Sequence, residues 1–353
     1  MIETEFRILD TLSREIGNPI SINKLTEKIK KIHGTAHYPN IHTELQHLEK
    51  KKILRLVKSG KSTIAELNFE NYLLIDVLSE MELIRKFRFL EKRQEFQMVI
   101  LELNTYIKEI PLIKSVAIID PEKNAKLNRM EFFILLRNTE DEKQFKQIEK
   151  IIESLQQIHT IRMDMLCLSD NKFIELLKSD EANSAKEILS NKIVLFYPQT
   201  FWMELRQAIE QGSRIIIEEH DTNPHKISGD DIAYNLARFG YKEIGTSITK
   251  GKQIGIEYII TSILLKENVR RVESIPIIIA KNESKINYNL LLFLSKKYKT
   301  LLDLCGMLKA VNQIKPMKQL GKLLRQNIVK GQKNVKYNLD EMERKLRLYN
   351  VIE

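Results

Sequence analysis

Apolar residues near the start of the chain recur at helical spacing. Ile8, Leu9 and Leu12 fall on one face of a helix predicted over residues 6–16. A second helix is predicted to begin after Ser21, a favourable N-cap residue, because its hydroxyl can accept from a free backbone N–H. Gly34 is expected to end that helix, since glycine adopts the left-handed conformation of many helix ends.

A third helix and a pair of strands follow. Ile41, Leu45 and Leu48 share one helical face, after a proline that suits the first turn of a helix. Residues 53–58 and 62–67 then alternate, with a Ser-Gly turn between them. The first seventy residues therefore predict three helices followed by a β-hairpin.

The middle of the chain predicts one long helix and then a small α/β unit. Helical spacing continues from residue 70 to 110. Strands are expected at residues 115–119, 131–136 and 160–168, with a polar loop after the first and a helix over residues 140–157. Strands that alternate with helices at this spacing favour an α/β domain.

The last half of the chain is predicted to be mostly helical. A short strand is expected at residues 193–196, and the segment 214–224 is ambiguous. Lysine and arginine dominate from residue 315 to residue 336, which makes the tail basic. Such a tail can contact phosphates, or it can be a solvated helix with extended lysines.

Composition and charge narrow the class of protein. The 353 residues are 43% hydrophobic and 29% charged, which is typical of a globular chain, and the net charge of +10 favours a polyanionic partner. No apolar run approaches the length of a membrane-spanning helix, and the acidic N-terminus does not resemble a signal peptide. Only Cys167 and Cys305 occur, so we expect a reducing compartment and a cytoplasmic protein without a disulfide framework.

The N-terminal pattern resembles a known DNA-binding fold. The segment LEKKKILRLVKSGKSTIAELN, residues 48–68, is similar to the end of the recognition helix and the wing of prokaryotic winged-helix regulators. The resemblance implies that the third helix enters the major groove of double-stranded DNA and that the hairpin follows the backbone. The residues then expected to face bases are Tyr38, Asn40, His42, Thr43, Gln46 and His47. The residues expected to contact phosphates are Lys50, Lys51, Lys58 and Lys61. The alternative is a solvated charged face on a domain that binds protein.

Histidines in this segment raise the question of a metal site. His33 and His37 have the spacing of a chelating pair on a helix. Gly34 is expected to interrupt the helix between them, and no cysteine or carboxylate completes a ligand set. We therefore expect no metal and no cofactor.

Residues 112–170 resemble the minimal nucleotidyltransferase domain. In that family a Gly-Ser turn approaches the nucleotide phosphates, and an Asp-x-Asp strand and a later aspartate hold two metal ions. In this chain Ile119 and Asp120 stand at the Gly-Ser position, Arg129 and Glu131 at the Asp-x-Asp position, and Asp164 at the third carboxylate. A cation where a metal ligand is needed implies a catalytically inactive domain, in which Arg129 can pair with either carboxylate. The alternative is an unrelated α/β domain.

The predicted fold is thus α+β and multidomain, in five segments. They are a winged helix-turn-helix at 1–69, a long linking helix at 70–110, a degenerate nucleotidyltransferase-like domain at 111–170, a mostly helical domain at 171–313 and a basic helical tail at 314–353. The predicted function is DNA binding, as a transcriptional regulator whose inactive domain is a scaffold or sensor for an unidentified effector or protein partner. The alternatives are an unconventional nucleotidyltransferase of toxin–antitoxin type, acting on RNA or protein, and a nonspecific nucleoprotein assembly factor.

A homodimer is also predicted, because the stretch from residue 72 to 110 carries more apolar residues than a single winged-helix domain can cover. The residues on which this prediction rests are Leu74, Val77, Leu78, Met81, Ile84 and Phe87. The alternative prediction is that these residues pack onto the α/β domain of the same chain.

Overall fold

The computed structural model describes residues 1–137, 142–211, 222–242, 250–266, 269–324 and 337–352. The chain forms two compact units, the first from Met1–Ser179 and Ala185–Ile217 and the second from Asp180–Ser184 and Glu218–Glu353. Helices predominate, and two small sheets accompany them. The predicted mixture of helices and strands is confirmed.

Three helices and a three-stranded sheet open the first unit. Their bounds are α1 Glu3–Leu12, β1 Ile20–Ser21, α2 Ile22–His33, α3 Tyr38–Lys50, β2 Leu54–Ser59 and β3 Ser62–Leu67. The Ser21 hydroxyl accepts from the backbone N–H of Lys24 at 3.3 Å, and Gly34 ends α2 with φ 83°, as their positions predict. Leu9, Leu25 and Leu45 are fully buried between the helices. The two-residue strand β1 pairs with β3 and is too short for alternation to reveal it.

The long helix predicted over residues 70–110 is wrong as a single helix. Two helices, α4 Leu73–Lys92 and α5 Gln97–Ile107, are separated at Arg93, which has φ −139°. The break lets Phe96 turn back into the core, where its ring stacks on that of Phe89 at 5.9 Å. No glycine or proline stands at this point, so the sequence carries no signal for the break.

A four-stranded sheet follows, with its order β6-β5-β4-β7. Its strands are β4 Ile113–Ile119, β5 Arg129–Leu136, β6 Arg162–Ser169 and β7 Lys192–Phe196. Strands β5 and β6 are parallel, and β4 is antiparallel to both β5 and β7. Because β7 belongs to this sheet, the sheet extends past residue 170, where the sequence analysis places the start of a separate helical domain.

Helices cover both faces of this sheet. They are α6 Pro121–Lys126, α7 Glu142–His159, α8 Asp170–Lys178, α9 Ser184–Ser190 and α10 Pro198–Glu210. Helices α5 and α7 form one apolar core with the sheet. On the opposite face, where α8 and α10 lie, the rings of Phe133, Phe173 and Phe201 contact one another in series at tilted angles. Short helix α6 replaces the predicted loop after β4, because the Asn124 amide donates to the Ile119 carbonyl at 2.8 Å and closes the turn.

The second unit is helical in its described residues, apart from one parallel bridge between Ala182 and Ile254. Its helices are α11 Gly229–Arg238, α12 Ile256–Lys266, α13 Val269–Val272, α14 Ile275–Lys281, α15 Tyr288–Lys297, α16 Leu301–Ile314, α17 Lys318–Leu324 and α18 Leu339–Leu348. Over the described ranges, no helix combines the length and the apolar character that crossing a membrane requires. Most of the ambiguous segment, at 214–221, and most of the basic stretch from 315 to 336, at 325–336, lie outside the described residues.

Candidate nucleic-acid interface

The outward face of α3 is polar and basic. Thr43, Gln46 and Lys50 recur at i, i+3 and i+7, so they lie on one face, and all three are exposed. The opposite face is apolar, since Ile41, Leu45 and Leu48 are buried against the rest of the domain. We name the exposed surface the α3 face, and define it by Asn40, Thr43, Gln46, His47 and Lys50, all of which are exposed.

Two aromatic rings lie on the flank of α3 and not at the centre of its outward face. Tyr38 is exposed and His42 is half-buried, and their rings stack with centroids 5.9 Å apart. Sequence reasoning groups both with the base-facing residues. The structure brings them together as a pair beside the α3 face, where a backbone contact suits them better than a contact to a base edge.

Contacts within α3 limit which side-chain groups of Thr43 and His47 remain available to another molecule. The Thr43 hydroxyl donates to the Pro39 carbonyl at 3.0 Å, which leaves the methyl group for an apolar contact. The Nδ1 atom of His47 lies 3.1 Å from Glu44 Oε1, so this carboxylate is turned along the helix toward its own histidine. The side chains of Gln46 and Lys50 are exposed and can extend away from the helix.

A set of hydrogen bonds fixes α3 to the hairpin. Glu49 Oε1 accepts from the Leu56 N–H at 3.1 Å, and the amides of Asn68 and Asn71 donate to the Lys52 carbonyl at 2.8 and 3.0 Å. Lys52 takes the left-handed conformation, with φ 58°, to turn the chain from helix to strand. Sequence reasoning missed Glu49, Asn68 and Asn71, because an exposed acid and two asparagines after a strand look like ordinary solvent-facing residues.

The tip of the hairpin is basic and open. Lys58 pairs with Thr63 in the strand register, Gly60 has φ 60°, and Lys61 follows it. Both lysines are exposed, and nothing lies within 4 Å of the position a Cβ would take at Gly60. Lys50 and Lys51 are exposed at the end of α3, so all four lysines predicted to contact phosphates are available to solvent.

The five positions of the nucleotidyltransferase resemblance meet at one end of the larger sheet. Ile119, Glu131 and Asp164 are register partners across β4, β5 and β6. Arg129 Nη2 lies 2.5 Å from Glu131 Oε1 and 3.2 Å from Asp164 Oδ2, so the predicted pairing is confirmed and involves both carboxylates. Arg162 reaches the same Asp164 oxygen at 3.3 Å. The guanidinium of Arg129 therefore occupies the space between the two carboxylates.

Asp120 stands at the position expected for the Gly-Ser turn and is hydrogen-bonded to Asn191, the residue before β7. Its backbone adopts φ 45°, immediately before α6. Its N–H donates to the Asn191 carbonyl at 2.9 Å, and its carboxylate accepts from the Asn191 amide at 2.9 Å. Through the described residues no cluster of three histidine, cysteine or acidic side chains could hold a metal ion.

A buried charge cluster, which sequence reasoning missed, lies in the same unit. We define it as Asp10, Glu82, Arg85 and Lys192. Arg85 donates to Glu82 Oε1 at 2.8 Å and to the Asp10 carbonyl at 2.9 Å, and it also pairs with the Asp10 carboxylate. Burial would raise the pKa of Asp10, but Arg85, together with His33 and Arg14, holds that pKa well below its usual range. These four residues stand at inward positions of apolar elements, which is the one sequence signal that could have found them.

Lys192 is the second cation of this cluster and is 2% exposed. Its Nζ lies 3.5 Å from Glu82 Oε1 and 4.5 Å from the centre of the Trp202 ring. Burial lowers the pKa of Lys192 to about 8, although the Glu82 carboxylate opposes that shift. His33 Nε2, on α2, lies 3.2 Å from Asp10 Oδ2, so this histidine of the metal hypothesis faces a carboxylate of the buried cluster.

Comparison of the chain with protein-family models, with curated proteins and with solved structures gives no match.

Proposed function

We propose that this protein binds double-stranded DNA through the α3 face, as a cytoplasmic transcriptional regulator with an N-terminal winged helix-turn-helix. The observation that carries the proposal is the face itself, which presents amide, methyl, imidazole and ammonium groups and no free carboxylate. Both acids of α3 are engaged elsewhere, since Glu44 lies beside His47 and Glu49 accepts from the hairpin backbone. An α-helix fits the width of the major groove, so such a face can reach base edges.

The chemistry of each side chain assigns its role. The amides of Asn40 and Gln46 can donate to and accept from one adenine, and the Thr43 methyl can contact a thymine methyl. Lys50, Lys51, Lys58 and Lys61 are assigned to phosphates, because an ammonium on a flexible stem gives affinity without reading sequence. The bonds from Glu49, Asn68 and Asn71 support this assignment, since they hold helix and hairpin as one rigid reading surface.

The α/β part is proposed to be an inactive nucleotidyltransferase-like module that serves as a scaffold. Two-metal catalysis needs carboxylates that are free to bind both ions. In this chain Arg129 already pairs with both Glu131 and Asp164, and Asp120 is bound to Asn191. Incubation with labelled nucleoside triphosphates, Mg²⁺ or Mn²⁺, and RNA or protein acceptors should transfer no label. Transfer that disappears in Glu131→Ala would make the enzyme the better reading.

A homodimer is proposed on a smaller surface than the sequence suggests. Leu74, Leu78 and Met81 are fully buried within the chain itself, so they are not available to a partner. Leu83 and Phe87 remain 53% and 68% exposed, one turn apart on α4. Two copies joined there would present two α3 faces to a palindromic site. Light scattering of the wild type and of Phe87→Asp tests this, and a wild-type monomer at micromolar concentration would exclude it.

The decisive experiment is selection of bound fragments from a random DNA pool, at a stated salt concentration, followed by titration of the best fragment. An enriched motif supports sequence reading, binding without a motif supports a nonspecific assembly factor, and no binding excludes both. Gln46→Ala should reduce the preference for the motif over a scrambled fragment by about 1–3 kcal/mol. Lys108→Ala, which removes an exposed charge from the C-terminal end of α5, is the matched control and should change neither affinity nor preference.

A further inference from the structure

The second unit contains a cavity of about 340 Å³ among α12, α14, α16 and α18. Its size falls within the roughly 300–1,000 Å³ of small-molecule sites. Four buried apolar residues contribute to its wall: Leu264, Pro276, Met307 and Met342. Two of them are methionines, whose unbranched side chains adapt to the shape of a ligand.

Acidic side chains outnumber basic ones around this cavity. Among the described residues of the lining, Glu273, Asp303 and Glu341 contribute three carboxylates and Lys345 contributes one ammonium. The Lys345 Nζ lies 2.6 Å from Glu273 Oε2 and 3.3 Å from Glu341 Oε1, so two of the carboxylates already share this cation. The described part of the lining therefore carries more negative than positive charge, although the net charge of the chain is +10.

Asp303 is the carboxylate left for a ligand. It makes no ion pair with any residue in the part of the chain that the structure describes. Next to it, the Tyr337 hydroxyl donates to the Asp303 backbone carbonyl at 3.3 Å. Burial, with a contribution from the Asp303 charge, raises the pKa of Tyr337 to about 12, so the phenol stays neutral at physiological pH. Among the described residues, the cavity thus combines an apolar wall with one carboxylate, that of Asp303, that takes part in no ion pair.

We propose that this cavity binds a small, mainly apolar molecule that carries one ammonium group. The apolar part lies against Met307 and Met342, and the ammonium pairs with Asp303. A neutral ligand would leave the carboxylate without a partner, and an anionic ligand would add repulsion from a lining that is already negative. This site does not depend on the proposed DNA binding, and its test needs no DNA.

The test uses three probes of one shape and different charge: 4-phenylbutylamine, 4-phenylbutan-1-ol and 4-phenylbutanoate. Each is titrated into the full-length protein at neutral pH in a calorimeter. The amine should bind about tenfold more tightly than the alcohol, the preference that one charge-assisted contact supplies. The carboxylate should bind most weakly. Equal affinity for amine and alcohol, or no heat from any probe in the millimolar range, would overturn the proposal.

Substitutions in the lining, with one control outside it, assign the binding to this cavity. Asp303→Asn keeps the shape of the side chain and should remove the preference for the amine, with little change for the alcohol. Asp340→Asn removes a charge from the first turn of α18 outside the cavity lining and should leave the preference intact. Met307→Trp should fill the space and abolish binding of all three probes, and Met342→Phe repeats this test if the tryptophan variant does not fold. A preference that survives Asp303→Asn would contradict the assignment.

Discussion

Charged residues of the first unit fall into two groups with opposite surroundings. On the α3 face and at the hairpin tip, lysines are exposed and uncommitted. In the buried charge cluster, opposite charges lie next to one another with almost no solvent. Arg85 is 5% exposed, and Asp10, Glu82 and Lys192 are each 2% exposed or less. A solvated cation contributes little to folding and can neutralise a phosphate, whereas a buried charge is costly to leave alone and can serve only its partners. The exposed lysines are therefore suited to binding a polyanion, whereas the buried charges stabilise the fold.

The largest effect is expected at Arg85. Arg85→Ala leaves Asp10 and Glu82 buried without their main cation, so the free energy of unfolding should fall by about 3–5 kcal/mol. Denaturant unfolding measures this change. Arg85→Met tests whether apolar volume can stand in for the guanidinium, and it should also destabilise because both carboxylates remain.

An exposed acid on the same helix provides the control for that measurement. Glu91→Ala removes an exposed charge from α4 and should change stability by less than about 0.5 kcal/mol. If Arg85→Ala were as mild as Glu91→Ala, the buried cluster would not stabilise the fold, and the contrast with the α3 face would fail.

A smaller loss is expected at Arg129. Arg129→Ala leaves Glu131, which is fully buried, without the guanidinium at 2.5 Å, while Asp164 keeps Arg162. Because one of the two carboxylates retains a cation, we expect about 2–3 kcal/mol of destabilisation. Arg129→Lys should recover only part of it, since an ammonium lacks the planar fork that reaches two carboxylates at once.

The pH dependence of stability tests the buried cluster separately, through Lys192. Its pKa is about 8 when folded and 10.5 ordinarily, so the unfolded chain binds more protons between these values. Stability from this residue therefore rises as pH increases from 8 to 10.5, with a slope of at most about 1.4 kcal/mol per pH unit. Lys192→Met should remove this slope. Cys167, whose pKa burial raises, has the opposite slope, but it is present in both proteins, so their difference isolates Lys192.

Local pattern was sufficient for the α3 face and for most elements of the first unit, but not for β1, for α6 or for the break between α4 and α5. Helical spacing placed Ile41, Leu45 and Leu48 inward, and by elimination Thr43, Gln46 and Lys50 outward. The alternation of a strand likewise put Arg129 and Glu131 on one side of β5, which is why their pairing could be predicted. In these cases the residues that matter are within a few positions of one another.

The hydrophobic periodicity of the sequence did not predict contacts between distant parts of the chain. Arg85 meets Asp10 across 75 positions, and the cavity of the second unit joins Leu264 to Lys345. Periodicity reports which face of an element is inward but not which element it will meet. The break at Arg93 was missed for the same reason, since its cause is the burial of Phe96 in a core assembled from several segments.

The smallest expected effect on stability belongs to the hairpin lysines. Lys58→Ala and Lys61→Ala should each change the free energy of unfolding by less than about 0.5 kcal/mol, because both side chains are exposed. Their effect on DNA binding should instead appear as a shallower salt dependence. Each lost phosphate contact lowers the slope of log affinity against log salt by about 0.9. Affinity should fall by a similar factor for the selected motif and for a scrambled fragment.

The double variant Lys58→Ala/Lys61→Ala decides whether the hairpin belongs to the interface at all. Two lost contacts should flatten the salt slope by about 1.8, whereas Lys108→Ala should leave it unchanged. If the double variant kept the wild-type affinity and slope, the hairpin would lie away from the DNA. The α3 face would then have to bind alone, and the shared rigidity that Glu49, Asn68 and Asn71 impose on helix and hairpin would serve folding rather than recognition.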